Sequence, residues 1–394
     1  MPLSPDELQR YARHLVLPQV GAAGQERLRA SSALIVGLGG LGSPAALYLA
    51  AAGIGRLGIL DHDTVAVHNL QRQIIHDTST LGAAKVDSAR VRIEALNPNV
   101  RIETWRTALT RDNARGIVSD YDLILDGTDS FATRYLVNDA CVLEGKPYVH
   151  ASVHRFEGQL SVFGAPDGPC YRCLHPTPPP AGSVPNCAEG GVLGVLPGLL
   201  GTMQATEALK LLLGIGAPMV GRLLVVDALG MRFQEVLVDR DRECPWCGTR
   251  TERELLADYA AFCGEGPTVA SADASADASA DASGGGAPDA TSITPRQLAA
   301  RLARGDALRV IDVREPWEHA VASLDPAELI PMQAIPARQS ALPREAEYVV
   351  LCHHGTRSAM VAEYLRSAGI ARVLNLEGGI DRWSVEVDPS VSRY

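Results

Sequence analysis

Residues 35–42 read Ile35-Val36-Gly37-Leu38-Gly39-Gly40-Leu41-Gly42, and few local patterns restrict a fold so strongly. An apolar run that breaks into closely spaced glycines predicts a buried strand, then a turn tight enough to need bare backbone. A helix should follow near Ser43-Pro44, with proline tolerated in its first turn. Backbone N–H groups in such a turn can approach phosphate oxygens, and the helix adds its positive end. Asp61 closes the next apolar run, Leu57–Leu60, where a ribose-binding carboxylate belongs. These two features alone would announce a dinucleotide site, or merely a tight βα packing turn. Asn69, Arg72, Gln73 and Lys85 come soon after. Two cations and two amides beside a phosphate loop suit a triphosphate being cut better than a nicotinamide being reduced.

The rest of the first 264 residues fits an α/β chain with a doubly wound parallel sheet. Ala33–Val36, Leu57–Leu60, Leu123–Leu125 and Tyr148–Ala151 read as buried strands, with Gly158–Phe163 and Arg222–Asp227 as later ones. Ser43–Ala52 and Lys85–Ala95 read as helices, and Ser4 with Glu7 makes a capping box for an opening helix that carries Arg10 and Arg13. Asp126-Gly127-Thr128-Asp129 ends the third strand, at the side of the sheet where such folds bind ligands. Asp129 can hold a magnesium ion that bridges phosphate oxygens; helix capping is the plainer role for an Asp there.

Ser271–Ser283 repeats Ser-Ala-Asp-Ala three times and runs into Gly284-Gly285-Gly286. Nothing there can bury a face, so residues 265–290 are expected to be a flexible linker between domains at 1–264 and 291–394. The net charge of −10 argues against a nucleic-acid or membrane-surface partner. The apolar stretch Val192–Leu200 is interrupted by Gly194, Pro197 and Gly198 and is too short to span a bilayer. Met1–Glu7 has no signal pattern, so a cytoplasmic protein is expected, and its eight cysteines should serve metal or catalysis rather than disulfides.

Cys170-x-x-Cys173 and Cys244-x-x-Cys247 are two knuckles with Pro, Gly and aromatic neighbours. Four thiolates in two such pairs suit a closed tetrahedral zinc site; a redox pair or unrelated core cysteines are the alternatives. Cys187 stands apart, in Asn186-Cys187-Ala188-Glu189-Gly190-Gly191, after a proline-rich run. Its surroundings predict an exposed loop, as active-site crossover loops tend to be. Cys141 and Cys263 read as bystanders.

Taken together, the glycine loop, Asp61-x-Asp63, Asn69-Leu70-Gln71-Arg72-Gln73, Gly82-x-x-Lys85 and Asp126-x-Thr128-Asp129 resemble the HesA/MoeB/ThiF family, the bacterial relatives of ubiquitin-activating enzymes. The resemblance covers about residues 5–250. It implies a Rossmann-like fold of the ubiquitin-activating type that uses ATP to adenylate the C-terminal glycine of a ubiquitin-like sulfur-carrier protein. Gly37, Gly39, Gly40 and Gly42 would form the phosphate loop. Asp61 would hold the ribose, Asn69, Arg72, Gln73 and Lys85 the nucleotide and its phosphates, and Asp129 the metal. Arg13 matches an arginine that reaches into a partner subunit's site, which implies a homodimer. The family usually has Asn where this chain has Ser130, so a nucleotide contact at that position is open. Many members also carry zinc on cysteines matching Cys170, Cys173, Cys244 and Cys247. Members fused to a second domain use a cysteine matching Cys187 to bond the activated carrier or to resolve an acyl-disulfide.

The second domain repeats the α/β logic at smaller scale, with strands at Arg309–Val313 and Tyr348–Leu351 and a helix at Ser358–Ala368. The second strand runs into Cys352-His353-His354-Gly355-Thr356-Arg357. Successive N–H groups, a helix N-terminus and Arg357 would all favour a sulfur anion there. A free thiol of pKa about 8.5 is only ~3% ionised at pH 7, so such help matters. The loop resembles that of rhodanese sulfurtransferases, as do Asp312-Val313-Arg314-Glu315 and Leu376-Glu377-Gly378-Gly379-Ile380-x-x-Trp383. That likeness spans about 293–390 and implies that Cys352 carries a persulfide.

The two halves then make one pathway. A carrier's terminal glycine is adenylated, and sulfur passes to it from Cys352, supplied by an upstream persulfide donor such as a cysteine desulfurase. This matches fused enzymes of molybdopterin, thiamine or thiolated-tRNA metabolism. An NAD oxidoreductase would ignore ATP, a conjugation-starting enzyme would not need Cys352, and a detoxifying rhodanese would leave the first domain idle.

Overall fold

The computed structural model describes residues 2–180, 191–248, 254–264 and 291–393. The chain forms two compact units, Met1–Asp273 and Ala274–Tyr394, each with its own sheet. The expected linker, 265–290, and Cys187 lie outside the described residues.

The first unit is built on β1 (Ser32–Val36), β2 (Arg56–Leu60), β3 (Arg101–Trp105), β4 (Leu123–Asp126), β5 (Tyr148–His154), β6 (Glu157–Phe163), β7 (Arg222–Asp227) and β8 (Arg232–Leu237). Their spatial order is β3-β2-β1-β4-β5-β6-β7-β8. The first five pair in parallel and the last three join antiparallel. Alternate residues of β1 face opposite ways. Ala33 and Ile35 pack with the helices Gly42–Ala52 and Val195–Leu213, while Leu34 and Val36 pack with Arg111–Ser119 and Phe131–Leu143. Helices on both faces explain why β1 is apolar throughout instead of alternating.

The strand order reverses at β1. Val36 pairs with Leu60 on one side and with Asp126 on the other. The crevice beyond these carboxyl ends is the switch point where open α/β sheets bind ligands. The chain elements that enter it are the glycine turn, Asp61 and the 127–130 turn.

Several expectations meet small departures. The opening helix stops at Arg10, Tyr11 intervenes, and Arg13 lies on a second short helix, Ala12–Leu15. The stretch that proline and glycine interrupt belongs to a 19-residue helix, Val195–Leu213. Pro197 sits in its first turn, where an N–H has no intrahelical partner anyway. Among the described residues no helix is long and apolar enough to cross a membrane.

The second unit has a five-stranded parallel sheet in the order β11-β10-β12-β13-β9, from β9 (Ser292–Ile293), β10 (Leu308–Asp312), β11 (Ala327–Leu329), β12 (Glu347–Leu351) and β13 (Val373–Leu376). Central β12 is buried from Tyr348 to Leu351 and aims its carboxyl end at the Cys352 loop. The helix after that loop begins at Thr356, two residues earlier than the sequence suggests.

Candidate active sites

In the first unit, the glycine turn lies between two strand ends. Gly37 N–H donates to the Leu60 carbonyl at 2.8 Å, and Gly127 N–H to the Val36 carbonyl at 2.9 Å. Gly37 adopts φ +92°, and a Cβ there would stand 2.9 Å from the Gly127 carbonyl oxygen. Glycine is therefore required by conformation and by space. Gly42, at the start of the Gly42–Ala52 helix, packs directly on the Gly37 carbonyl. Gly37, Gly39 and Gly40 line a cavity that also takes in Asp61, Arg72, Gln73 and Lys85. Asp129 and Ser130 border the same cavity from β4.

The side chains hold one another in place. Asp61 Oδ2 accepts the Leu38 N–H at 2.8 Å, so one carboxylate fixes the glycine turn from the neighbouring strand. Lys85 is buried and donates to Asp63 at 2.8 Å, with Asp61 at 3.9 Å. Burial works to raise the Asp63 carboxyl, but the bond and charge of Lys85 outweigh it and leave it below the usual value. Arg72 Nη1 donates to the His68 carbonyl. Asn69 is buried and does not line the cavity; it accepts the Ala66 N–H, which closes the turn that carries Arg72 and Gln73. Gln73 is 4% exposed, and its Oε1 has no hydrogen-bond partner among the described residues. A buried amide oxygen left unpaired beside two cations fits a cavity that takes a polar, anionic ligand. Ser130 caps the helix Phe131–Leu143, accepting from Thr133 N–H. Arg13 is exposed and does not line the cavity of its own chain.

Two roles here escaped the sequence reading. Arg134, one turn into that helix, lines the cavity and donates to the Thr128 carbonyl at 3.2 Å. Its spacing of four from Ser130 was the available signal. Asp126 is fully buried and accepts from Thr128 N–H, Thr128 Oγ1 and His150 Nδ1. Burial would raise this carboxyl, but the His150 hydrogen bond and charge dominate and lower it. Asp126 thus folds the turn that presents Asp129, a role that only the fold could reveal.

The four paired cysteines come together. Cys170 Sγ lies 3.9 Å from Cys173 and 3.7 Å from Cys244, and Cys173 lies 3.3 Å from Cys247. Tetrahedral zinc with Zn–S about 2.3 Å would set sulfurs about 3.8 Å apart, so the cluster fits that ion. Arg172, between the first pair, forms a two-pronged bond to buried Asp139 at 2.8 and 2.7 Å. Its guanidinium lies over the rings of Tyr135, Trp246 and Phe262. Cys141 is buried in the helix Phe131–Leu143, where burial pushes its thiol well up.

In the second unit, Cys352 is 1% exposed, and its Sγ accepts from Gly355 N–H at 3.1 Å and Ser358 Oγ at 3.3 Å. The second glycine motif supports the loop from beneath. Ile380 N–H donates to the Cys352 carbonyl and Asp381 N–H to the His353 carbonyl. A Cβ on Gly379 (φ +61°) would meet those same carbonyl oxygens at 2.4 and 2.3 Å. Arg357 points to Glu318, with bonds of 2.7 and 2.6 Å. Arg314, fully buried, binds Asp312 at 2.9 and 2.6 Å and the Glu318 carbonyl at 3.3 Å, so the Asp312-Val313-Arg314 motif holds up the Glu318 segment.

Residues 11–246 match the ThiF family, and residues 294–386 match the rhodanese-like domain. The probable adenylyltransferase/sulfurtransferase MoeZ of Mycobacterium tuberculosis is 45% identical over 398 residues, covering 100% of this chain and 96% of the relative. The sulfur carrier protein adenylyltransferase of Thermus thermophilus is 52% identical over 264 residues, covering 66% of this chain and 97% of the relative. Among solved structures, E. coli MccB with MccA-N7isoASN superimposes with a TM-score of 0.56 at 18% identity, over 61% of this chain and 75% of that one. This last likeness concerns the fold of the first unit's type.

Proposed function

The chain belongs to the ThiF family and ends in a rhodanese-like domain, and we propose that it charges the C-terminal glycine of a ubiquitin-like sulfur-carrier protein with AMP and then exchanges AMP for sulfur. It is an adenylyltransferase and a sulfurtransferase, like the relatives that match its full length. The observation that carries the reading is the crevice at the strand-order reversal, where Arg72, Gln73 and Lys85 meet the glycine turn.

A carboxylate is a poor electrophile, so the carrier's terminal carboxylate attacks the α-phosphorus of ATP. A new P–O bond forms, the bond to the β-phosphate oxygen breaks, and pyrophosphate leaves with the electron pair. The glycine-turn N–H groups and the helix Gly42–Ala52 hold the phosphates, and Asp61 faces the ribose. Arg72 and Lys85 neutralise the leaving charge, with Lys85 exchanging Asp63 for phosphate. Asn69 keeps the Arg72 segment in register. Asp129 would hold magnesium, which supplies charge neutralisation across phosphate oxygens. Arg13 completes the site from a second copy, so the working form is a homodimer.

The outer sulfur of a Cys352 persulfide, received from a donor such as a cysteine desulfurase, then attacks the acyl carbon. AMP leaves and an acyl-disulfide forms. Cys187 thiolate attacks Cys352 Sγ, the carrier departs as a thiocarboxylate, and a thiol reductant reopens the Cys187–Cys352 disulfide. The segment 265–290 gives Cys352 its reach. Zinc on Cys170, Cys173, Cys244 and Cys247 is structural, with no open position for substrate. The work is done in the cytoplasm.

Pyrophosphate exchange that requires a carrier ending in Gly-Gly tests the first step; its absence with every such carrier overturns it. Thiocarboxylate formed at the normal rate by Cys352→Ala from a persulfide donor overturns the second.

A further inference from the structure

The hydroxyl of Ser358 is fully buried and stands between two acceptors. Its Oγ lies 3.3 Å from Cys352 Sγ and 3.0 Å from the Gly355 carbonyl oxygen. A hydroxyl has one proton to donate, so it serves one acceptor at a time. Arg357, the cation nearest in sequence, is directed to Glu318. Among the described residues, Ser358 is the side chain that donates to the sulfur, alongside the Gly355 N–H. Helix formation does not ask for it, since alanine is the better helix former at that position.

We propose that Ser358 is a catalytic residue of sulfur transfer, whose proton follows the negative charge on and off Cys352 Sγ. The proposal rests on the reading of Cys352 as the sulfur-carrying nucleophile. When Cys352 reacts as a thiolate, Ser358 donates to Sγ. The thiolate attacks the outer sulfur of a donor persulfide, a new S–S bond forms, the donor's S–S bond breaks, and the donor leaves as a thiolate. Sγ is then neutral and divalent, and the charge sits on the outer sulfur. Rotation about the Ser358 Cβ–Oγ bond hands the proton to the Gly355 carbonyl without moving a heavy atom. When a nucleophile removes the outer sulfur, Sγ takes back the electron pair and the hydroxyl returns. The serine thereby assists both the attack and the departure of the same sulfur.

Thiosulfate and cyanide probe both half-reactions in the full-length chain, since sulfite leaves in the first and thiocyanate in the second. Ser358→Ala should lower kcat about tenfold, the worth of a hydrogen bond to a charged group, with KM for thiosulfate within about twofold. Alkylation of Cys352 by iodoacetamide at pH 7 should slow by a similar factor. Ser358→Thr, which keeps the hydroxyl, should recover most of both. Carrier-dependent pyrophosphate exchange in the same preparations reports that the chain is intact. Alkylation and kcat within twofold of the parent in Ser358→Ala overturn the proposal, and so does a loss that Ser358→Thr fails to restore. Cys352→Ala separates the two claims. If it retains sulfur transfer, the reading of Cys352 fails; if it is inert while Ser358→Ala is normal, only the role of Ser358 fails.

Discussion

Arg357 meets Glu318 through two parallel hydrogen bonds, from Nη1 to Oε2 at 2.7 Å and from Nη2 to Oε1 at 2.6 Å. The cation that the sequence assigns to the thiolate is thereby matched by a carboxylate that is 4% exposed. Its job is to clamp the loop to the helix Pro316–Val321, which Arg314 holds through the Glu318 carbonyl. Glu318→Gln should cost about 2 kcal/mol, less than a fully buried pair because the Arg357 side chain is 21% exposed. Thiosulfate–cyanide turnover should fall severalfold. Arg357→Lys should behave alike, since an ammonium cannot make the fork. Turnover and thermal midpoint unchanged in both variants would refute the clamp.

Adenylation should be separable from sulfur transfer by substitution. Gly37→Ala places a Cβ 2.9 Å from the Gly127 carbonyl in a backbone region that side chains rarely adopt. The strain is on the order of 2 kcal/mol, and the turn must shift to relieve it. Carrier-dependent pyrophosphate exchange should fall at least about a hundredfold, and Arg72→Ala should do the same by removing a charge-neutralising contact. Thiosulfate–cyanide turnover by the second unit should persist in both. A Gly37→Ala chain with normal exchange would exclude the tight turn as a phosphate cradle.

The crevice was legible because strand, turn and helix each leave a local mark. Apolar Ile35-Val36, closely spaced glycines and Pro44 are readable without knowing what packs on them. The Ser4–Glu7 box formed as the spacing dictates, with Ser4 N–H on Glu7 and Glu7 N–H on Ser4. What stayed hidden depends on contacts between distant segments. His150 meets Asp126 only because β5 lies beside β4, and neither residue's neighbours in sequence reveal it. Exposed β8 carries no alternating buried face, so its pairing with β7 had no signal in its own pattern. Glu318 and Arg357 are 39 residues apart, so the partner of that cation could not be read from the loop alone.

His353 gives the second unit an acid-sensitive step. Burial first, and then the charge of His354 stacked 3.9 Å away, lower its ring to about 4 from the ordinary 6.5. Between those values the unfolded chain binds the proton and the folded chain does not. Stability is therefore complete above pH 6.5 and declines as pH falls toward 4. The gap sets a ceiling of about 3 kcal/mol, and the ring's partial exposure reduces that to roughly half. Hydrogen-exchange protection of the β12 amides should drop between pH 7 and 4.5, and His353→Asn should flatten the difference. An identical pH dependence in the variant would assign the loss to other groups.

If the four-cysteine cluster holds zinc as proposed, its retention of the metal should depend on a pair outside the cluster. Arg172 lies between Cys170 and Cys173 in sequence, and Asp139 holds it by two bonds while also accepting from Tyr259 Oη at 2.7 Å. Asp139 is fully buried and Arg172 nearly so. Asp139→Asn leaves a buried guanidinium without its counter-charge, a loss of about 3–5 kcal/mol. Because Arg172 shares its backbone with Cys170 and Cys173, that loss should fall on the retention of any zinc they hold as well as on folding. Zinc measured per chain should be about one in the parent and close to none in Cys244→Ser, and chelator should lower the parent's melting midpoint by about 10 °C. Asp139→Asn should start with full zinc but release it to chelator several times faster. Release at the parental rate, with the stability loss still present, would confine the Asp139–Arg172 pair to the core around Tyr135 and Tyr259 and remove it from the metal site.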